Sequence, residues 1–107
     1  MNTSAKGSRL ERKIRKDLEA AGAILTMRSA GSKGPIDVIG LFPGPWVVLV
    51  QCKAGGAIYV SVKERRALES LAESLNCEAW LAFSGSLSKY YPSQHVWVRR
   101  LSFSEET

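Results

Sequence analysis

The run Asp37-Val-Ile-Gly-Leu-Phe-Pro-Gly-Pro-Trp-Val-Val-Leu-Val-Gln-Cys-Lys53 decides how this chain folds. Two apolar segments, residues 38–42 and 46–50, flank a Pro-Gly-Pro turn. Apolar segments on either side of a short Gly/Pro turn are typical of a β-hairpin. We therefore predict two paired strands whose open end is bounded by Asp37 and Lys53.

Polar side chains gather at that open end. Strand pairing places the start of the first strand beside the end of the second, so we expect Asp37 to lie near Gln51 and Lys53. Side chains alternate along a strand, so Gln51 and Lys53 share one face of the sheet while Val50 and Cys52 share the other. Carboxylate and amide oxygens bind divalent cations, and an ammonium stabilises phosphate charge. The sequence thus predicts a site for a divalent metal and a phosphodiester.

Composition limits the class of protein. The chain has 107 residues, 45% hydrophobic and 23% charged, which is ordinary for a globular protein. We expect a single domain over residues 1–107, with its core at about 7–99 and a frayed tail at 100–107. The net charge of +5 and the pI near 9.5 favour a polyanionic partner, although many basic proteins bind nothing anionic.

Cysteine content and hydropathy bear on the environment of the protein. Two cysteines and one histidine are too few for a zinc site of the usual kind, so we expect Cys52 and Cys77 to be reduced packing residues. No apolar run has the character of a signal peptide or the length of a membrane span. These features predict a soluble, cytoplasmic protein of a prokaryotic cell or a virus-infected host, with no membrane partner.

A first helix is predicted over residues 8–21, because Leu10, Ile14 and Leu18 recur at helical spacing and Gly22 follows. Basic residues outnumber acids around this helix: Lys6, Arg9, Arg12, Lys13, Arg15 and Lys16. A run of charge on a helix is usually only a solvated face. The excess of one sign here favours contact with phosphates.

The remaining pattern predicts further elements in order. A strand at 23–28 is followed by a Gly/Ser-rich loop at 29–35, which either holds a phosphate or is an ordinary turn. An extended piece at 58–60 precedes a second helix, which begins with a Ser61/Glu64 capping box and ends at Asn76. A strand at 78–84, a polar loop at 85–93 and an edge strand at 95–99 complete the chain. The predicted fold class is α/β, with a central mixed β-sheet flanked by helices and an αβββαβ core.

Further motifs accompany Asp37 and the Gln51-Cys52-Lys53 run. They are Glu11-Arg12 in the first helix, Arg28-Ser-Ala-Gly-Ser-Lys33 ahead of Asp37, and Tyr59-Val60 before the second helix. Together they resemble the restriction-endonuclease-like (PD-(D/E)XK) nuclease superfamily and, more narrowly, the archaeal-type Holliday junction resolvases. The resemblance covers roughly residues 7–98. It implies a restriction-endonuclease-like fold and a Mg²⁺-dependent endonuclease, with Mn²⁺ as a substitute, acting as a homodimer on four-way DNA junctions.

The resemblance also implies roles for individual residues. It assigns catalysis to Glu11, Ser32, Asp37, Gln51 and Lys53, and metal binding to Glu11, Asp37, Gln51 and the backbone carbonyl of Cys52. The predicted DNA contacts, which would be independent of base sequence, are made by Arg9, Arg12, Arg28, Ser29, Ser32, Lys33 and Lys63. Hydrolysis should leave a 5′-phosphate.

Two of these positions leave alternatives open. Gln51 stands where the family usually has Glu, so metal binding should be weaker because the amide brings no charge. Glu11 could instead close a capping box with Ser8 at the start of the helix.

The dimer interface is not defined by the sequence. Trp80, Tyr90 and Tyr91 are candidates, with core packing as the alternative for Trp80.

A junction resolvase is the favoured function among four. The second is a restriction- or repair-type nuclease acting on linear or flapped DNA, for which 107 residues leave little room for recognition elements. The third is a module that binds branched DNA without cutting, with Gln51 marking lost activity. The fourth is a basic protein whose partner is not DNA.

Overall fold

The computed structural model describes residues 3–29, 35–54 and 60–104, with side chains from Arg9 onward. Two helices and six strands make up the described chain. In order they are α1 (Thr3–Ala20), β1 (Leu25–Arg28), β2 (Val38–Phe42), β3 (Trp46–Lys53), α2 (Val62–Leu75), β4 (Glu78–Phe83), β5 (Ser86–Tyr91) and β6 (Val96–Arg100). None of the helices in these ranges is long and apolar enough to cross a membrane.

The strands form one mixed sheet whose order is the order of the chain, β1 to β6. Neighbouring strands are antiparallel except β3 and β4, which are parallel and are joined through α2. The predicted hairpin is present as β2 and β3, with Val38 opposite Val50 and Phe42 opposite Trp46. The predicted α/β class, with a mixed sheet and an αβββαβ core, is confirmed.

Helix α1 covers one face of the sheet. Its apolar stripe of Leu10, Ile14 and Leu18 is buried against a cluster that includes Val38 and Val50. The close approach depends on Gly40 in β2, because a Cβ built there would lie 3.2 Å from Cδ1 of Leu18. The face of α1 that the periodicity predicts is therefore the face that packs.

Helix α2 covers the opposite face, and its ends follow the sequence signals. Ser61 is the N-cap of a complete capping box with Glu64, as predicted. Asn76 ends the helix in the left-handed conformation, at φ 53°. Between these caps, Leu68 and Ala72 are buried in a second hydrophobic cluster together with residues of strands β3 and β4.

Several sequence predictions of local structure were wrong. Helix α1 begins at Thr3, so Ser8 lies inside it, and the capping box proposed as the alternative role of Glu11 is excluded. Strand β5 occupies residues predicted as a polar loop, because pairing with β4 and β6 on both sides outweighs the polar composition. The first strand is also shorter than expected, at Leu25–Arg28.

The end of the chain packs onto the sheet as far as Phe103. Arg100 is the last residue of β6 and is buried, and the ring of Phe103 lies 4.6 Å from that of Trp80. Trp80 and Tyr90 are both 2% exposed, so they pack in the core and do not offer a dimer surface. Both cysteines are free. The predictions for residues 30–34, including Ser32 and Lys33, for Ile58 and Tyr59, and for the tail at 105–107 lie outside the described residues.

Candidate functional site

The open end of the β2–β3 hairpin brings the predicted acid, amide and amine together. Asp37 donates its backbone N–H to the carbonyl of Val50 at 2.9 Å, which continues the strand register and sets Asp37 opposite Gln51. The backbone N–H of Cys52 then donates to Oδ2 of Asp37 at 2.8 Å. The carboxylate is therefore held by the backbone of the partner strand.

The environment of Asp37 opposes its negative charge. Burial is the main cause that raises the pKa of this carboxyl above its ordinary value. The bond from the Cys52 N–H acts in the other direction, the charge of Glu11 raises the pKa further, and Lys53 lowers it. A half-buried carboxylate among other acids would be stabilised by a cation.

The side chain of Gln51 is buried together with its amide oxygen. The residue is 4% exposed, and its Oε1 has no hydrogen-bond partner among the described residues. Buried polar atoms are nearly always paired, because leaving one unpaired costs free energy. An amide oxygen on the strand opposite Asp37, without a hydrogen-bond partner among the described residues, fits the role of a cation ligand.

Glu11 reaches the same end of the sheet from α1 and is paired with Arg28 of β1. Their Oε1 and Nε atoms are 2.5 Å apart, so the two side chains form an ion pair. Arg28 was predicted to contact phosphate. In this structure it is a partner of a predicted metal ligand, and half of its side chain is exposed.

Lys53 is held by an acid that the motif analysis did not assign to the site. Its Nζ lies 3.0 Å from Oε2 of Glu64, a residue of the α2 capping box. The hydrogen bond from Lys53 is the main cause that lowers the pKa of Glu64, followed by the backbone N–H of Ser61. Capping boxes are visible in sequence, but contact with Lys53 depends on how α2 packs.

Five of the seven predicted DNA contacts lie within the described residues. Arg9 and Arg12 are exposed on α1, and Lys63 is exposed in the first turn of α2. Ser29 is tied to the site through its backbone, because its N–H donates to the carbonyl of Asp37 at 2.9 Å. The remaining two, Ser32 and Lys33, lie outside the described residues.

The donor set fits a hard divalent cation better than zinc. Among the described residues no group of three His, Cys, Asp or Glu is placed to hold a metal ion. The available donors are two carboxylates, Glu11 and Asp37, and the amide oxygen of Gln51, and oxygen ligands of this kind suit Mg²⁺ or Mn²⁺. The Cys52 thiol is not a competing ligand, because burial raises its pKa.

Two cavities of the described chain lie away from this end of the sheet. One of about 460 Å³ is bounded by α1, β6 and the segment that ends at Ser104. Another of about 400 Å³ lies around Trp46, Glu78 and Phe103, at the opposite end of β3 from Lys53.

Comparison with known proteins identifies a family and a similar solved structure. The family model described as archaeal Holliday junction resolvase (Hjc) matches residues 2–92. The solved structure of Hjc from Archaeoglobus fulgidus, a Holliday junction resolvase from an archaeal hyperthermophile, superposes with a TM-score of 0.63. The two sequences are 25% identical, and the match covers 82% of this chain and 74% of that one. No curated protein matches the chain.

Proposed function

The chain belongs to the archaeal Holliday junction resolvase family and is a junction-resolving nuclease, and from this premise we propose that it works as a Mg²⁺-dependent homodimer whose site is built on Asp37. The resemblance drawn from the sequence motifs is confirmed at the level of the family. The metal, the oligomeric state and the residue roles are the parts that we propose.

One observation carries the assignment of the site. The buried Oε1 of Gln51 has no hydrogen-bond partner among the described residues, and it lies on the strand that pairs with the segment of Asp37. Glu11 adds a carboxylate that is ion-paired with Arg28. These atoms support a metal held by Asp37, Gln51 and Glu11, with the Cys52 carbonyl as a further predicted ligand.

A divalent cation bound there would supply positive charge for the phosphate oxygens and lower the pKa of a water molecule. The chain's own groups prepare the site for that chemistry. The N–H of Cys52 fixes Asp37, so the carboxylate needs little reorganisation. Arg28 orients the carboxylate of Glu11. The ammonium of Lys53 would stabilise the charge that develops on the scissile phosphate as the 3′ oxygen leaves.

Contacts to the flanking DNA would be made with phosphates. Arg9, Arg12 and Lys63 are exposed, and contacts between such side chains and phosphates position DNA without reading its sequence. A binding surface of this kind selects a substrate by its shape. This agrees with a nuclease of branched DNA.

A four-way junction must be cut on two strands of like polarity, which requires two sites related by a two-fold axis. We place the subunit contact on the uncharged sheet face, which we define as Leu25, Met27, Ile39 and Leu41. Leu25 lies opposite Leu41 and Met27 opposite Ile39, on the α2 side of the sheet. They lie at the β1–β2 edge, next to the cluster under α2 against which Ile39 packs. Leu25 is 50% and Met27 42% exposed. In a chain of net charge +5, a face without charges is one where two copies can meet without repulsion.

The proposed function is tested by strand cleavage of a labelled immobile four-way junction. Wild-type chain and Asp37→Asn would be incubated with Mg²⁺ or Mn²⁺, beside a linear duplex of the same sequence. We expect paired, symmetric incisions on the junction alone, with 5′-phosphate ends, and no incision by Asp37→Asn. Tight binding without incision would instead favour a module that holds branched DNA, and equal cutting of the duplex would reject selectivity for structure.

A further inference from the structure

The carboxylate of Glu64 serves two groups at once. Its Oε1 accepts a hydrogen bond from the backbone N–H of Ser61 at 3.2 Å, within the α2 capping box. Its Oε2 accepts one from Nζ of Lys53 at 3.0 Å. A residue that only capped the helix would need the first contact alone.

The second contact joins two separate elements of the fold. Lys53 is the last residue of β3, and Glu64 lies in the first turn of α2. Because the backbone N–H of Ser61 already holds Oε1 of Glu64, the carboxylate is an anchor for a lysine whose four-carbon side chain is otherwise flexible.

The pair also lies at the end of the hairpin that carries Asp37. The strand register sets Asp37 opposite Gln51, and Lys53 follows Gln51 two residues later on the same face of β3. Neither side chain of the pair is shut away from a substrate, since Lys53 is 32% and Glu64 39% exposed. The ammonium is therefore held close to Asp37 and remains accessible to a phosphate.

We propose that Glu64 is a positioning residue that aims the Lys53 ammonium at the scissile phosphate. This inference rests on the proposed function, because it assigns Glu64 a part in the same cleavage. The alternative is that Glu64 stabilises α2 and nothing more. The two roles separate because they use different oxygens of one carboxylate.

Glu64→Gln is the variant that tests the proposal. A glutamine can still complete a capping box, but it lacks the charge that holds an ammonium. We expect the single-turnover rate of junction cleavage at saturating enzyme to fall on the order of tenfold, since a misplaced catalytic group lowers the rate of the chemical step. Junction affinity should not weaken, because the substitution removes a negative charge from a phosphate-binding surface.

Ser61→Ala is the matched control. It removes the hydroxyl that accepts from the Glu64 N–H and donates to Glu64 Oε1. It should keep the bond from the N–H of residue 61 to Oε1 and the contact between Lys53 and Oε2. Cleavage by this variant should stay at the wild-type rate even if the chain melts earlier. In a Lys53→Gln background, Glu64→Gln should change the residual rate no further, because a residue that acts through Lys53 has nothing left to position.

A second readout does not depend on cleavage. The ¹⁵N relaxation of the Lys53 ammonium, measured in the metal-free chain, should show a restricted side chain in wild type and in Ser61→Ala, and a mobile one in Glu64→Gln. A wild-type rate in Glu64→Gln, or an ammonium equally mobile in all three chains, would overturn the inference alone. If wild type leaves the junction intact with either metal, the proposed function fails and this inference fails with it.

Discussion

At the scale of the residue, the Asp37 carboxyl lies in an environment that disfavours its charged form. Burial is the largest cause that raises its pKa, the Cys52 N–H opposes that effect, and Glu11 adds to it. A carboxyl whose pKa is raised by folding stabilises the folded state at pH values below its ordinary pKa, which is 3.8 for Asp37. That stabilisation is lost as the pH rises through the pKa of the folded state. Ionised Asp37 therefore lowers the stability of the metal-free protein at neutral pH.

Asp37→Asn should consequently raise the melting temperature of the metal-free chain at about pH 7, while it abolishes cleavage. The gain should disappear as the pH falls below 3.8, where both chains carry an uncharged side chain. Thermal unfolding followed by circular dichroism across this pH range measures the effect. Asp17→Asn is the control, because Asp17 is a surface acid paired with Lys13 and should give no such gain. A destabilised Asp37→Asn at neutral pH would contradict the argument.

Gln51 invites the opposite substitution. Gln51→Glu would add a charge to the oxygen-donor set beside Asp37. We expect half-maximal cleavage at a Mg²⁺ concentration on the order of tenfold lower, because a carboxylate binds the ion more tightly than an amide. A metal titration of the cleavage rate is the measurement. A modest change in the maximal rate would mark a tolerated variant, a large gain would mark a decayed site, and an unchanged metal dependence would argue against Gln51 as a ligand.

The proximity of Asp37 to Gln51 was predictable because it follows from pairing two strands joined by a short turn. The ion pairs were not. Arg28 meets Glu11, and Lys53 meets Glu64, only after helices α1 and α2 have packed on opposite faces of the sheet. Sequence patterns specify each helix face, but they do not specify which strand end a charged side chain will reach.

At the scale of the element, α2 shows how local signals fix a boundary. Asn76 ends the helix at φ 53° and ψ 50°, and its N–H donates to the carbonyl of Ala72. A residue such as alanine, which has a Cβ but no side-chain amide, adopts the left-handed conformation at a free-energy cost of roughly 1 kcal/mol or more. Asn76→Ala should therefore lower the free energy of unfolding by about that amount.

The matched comparison is Asn76→Gly, which should cost less than about 0.5 kcal/mol because glycine adopts the left-handed conformation freely. Urea unfolding of the three chains compares these free energies directly. Equal destabilisation by alanine and glycine would show that the Asn76 side chain, and not its backbone conformation, holds the end of the helix.

Strand β5 marks the limit of such local inference. Its residues, Ser86–Tyr91, are polar enough to have been predicted as a loop. They form a strand because β4 and β6 pair with them on both sides, and because Leu87 and Tyr90 pack on opposite faces of the sheet. Pairing partners distant in sequence are tertiary information. The hairpin of β2 and β3 could be predicted from the sequence because both of its strands are strongly apolar.

At the scale of the whole molecule, two junction cuts require two copies of the site. Leu25→Lys with Met27→Lys would place charges on the uncharged sheet face. We expect wild type to sediment as a dimer of 11.7 kDa chains and the double variant to sediment as a monomer, since like charges facing each other across an interface oppose association. The double variant should also lose the pairing of incisions on the two junction strands.

Leu101→Lys is the control for that experiment. Leu101 is 87% exposed just beyond β6, at the other edge of the sheet, and a lysine there should leave the dimer intact. A wild-type monomer at the concentrations used for cleavage, or a double variant that still dimerises, would place the subunit contact on another surface.

The order of the strands has a consequence for how quickly this chain acquires its structure. Strands β1 to β6 lie side by side in the order of synthesis, so each finds a partner close by in the chain. The exception is the parallel pair β3–β4, whose meeting requires the intervening segment with α2 to close on itself. Since loop closure slows folding, we expect that step to limit the folding rate. The β2–β3 hairpin would form first, so the strands bearing Asp37 and Gln51 would be paired before the parallel pair closes.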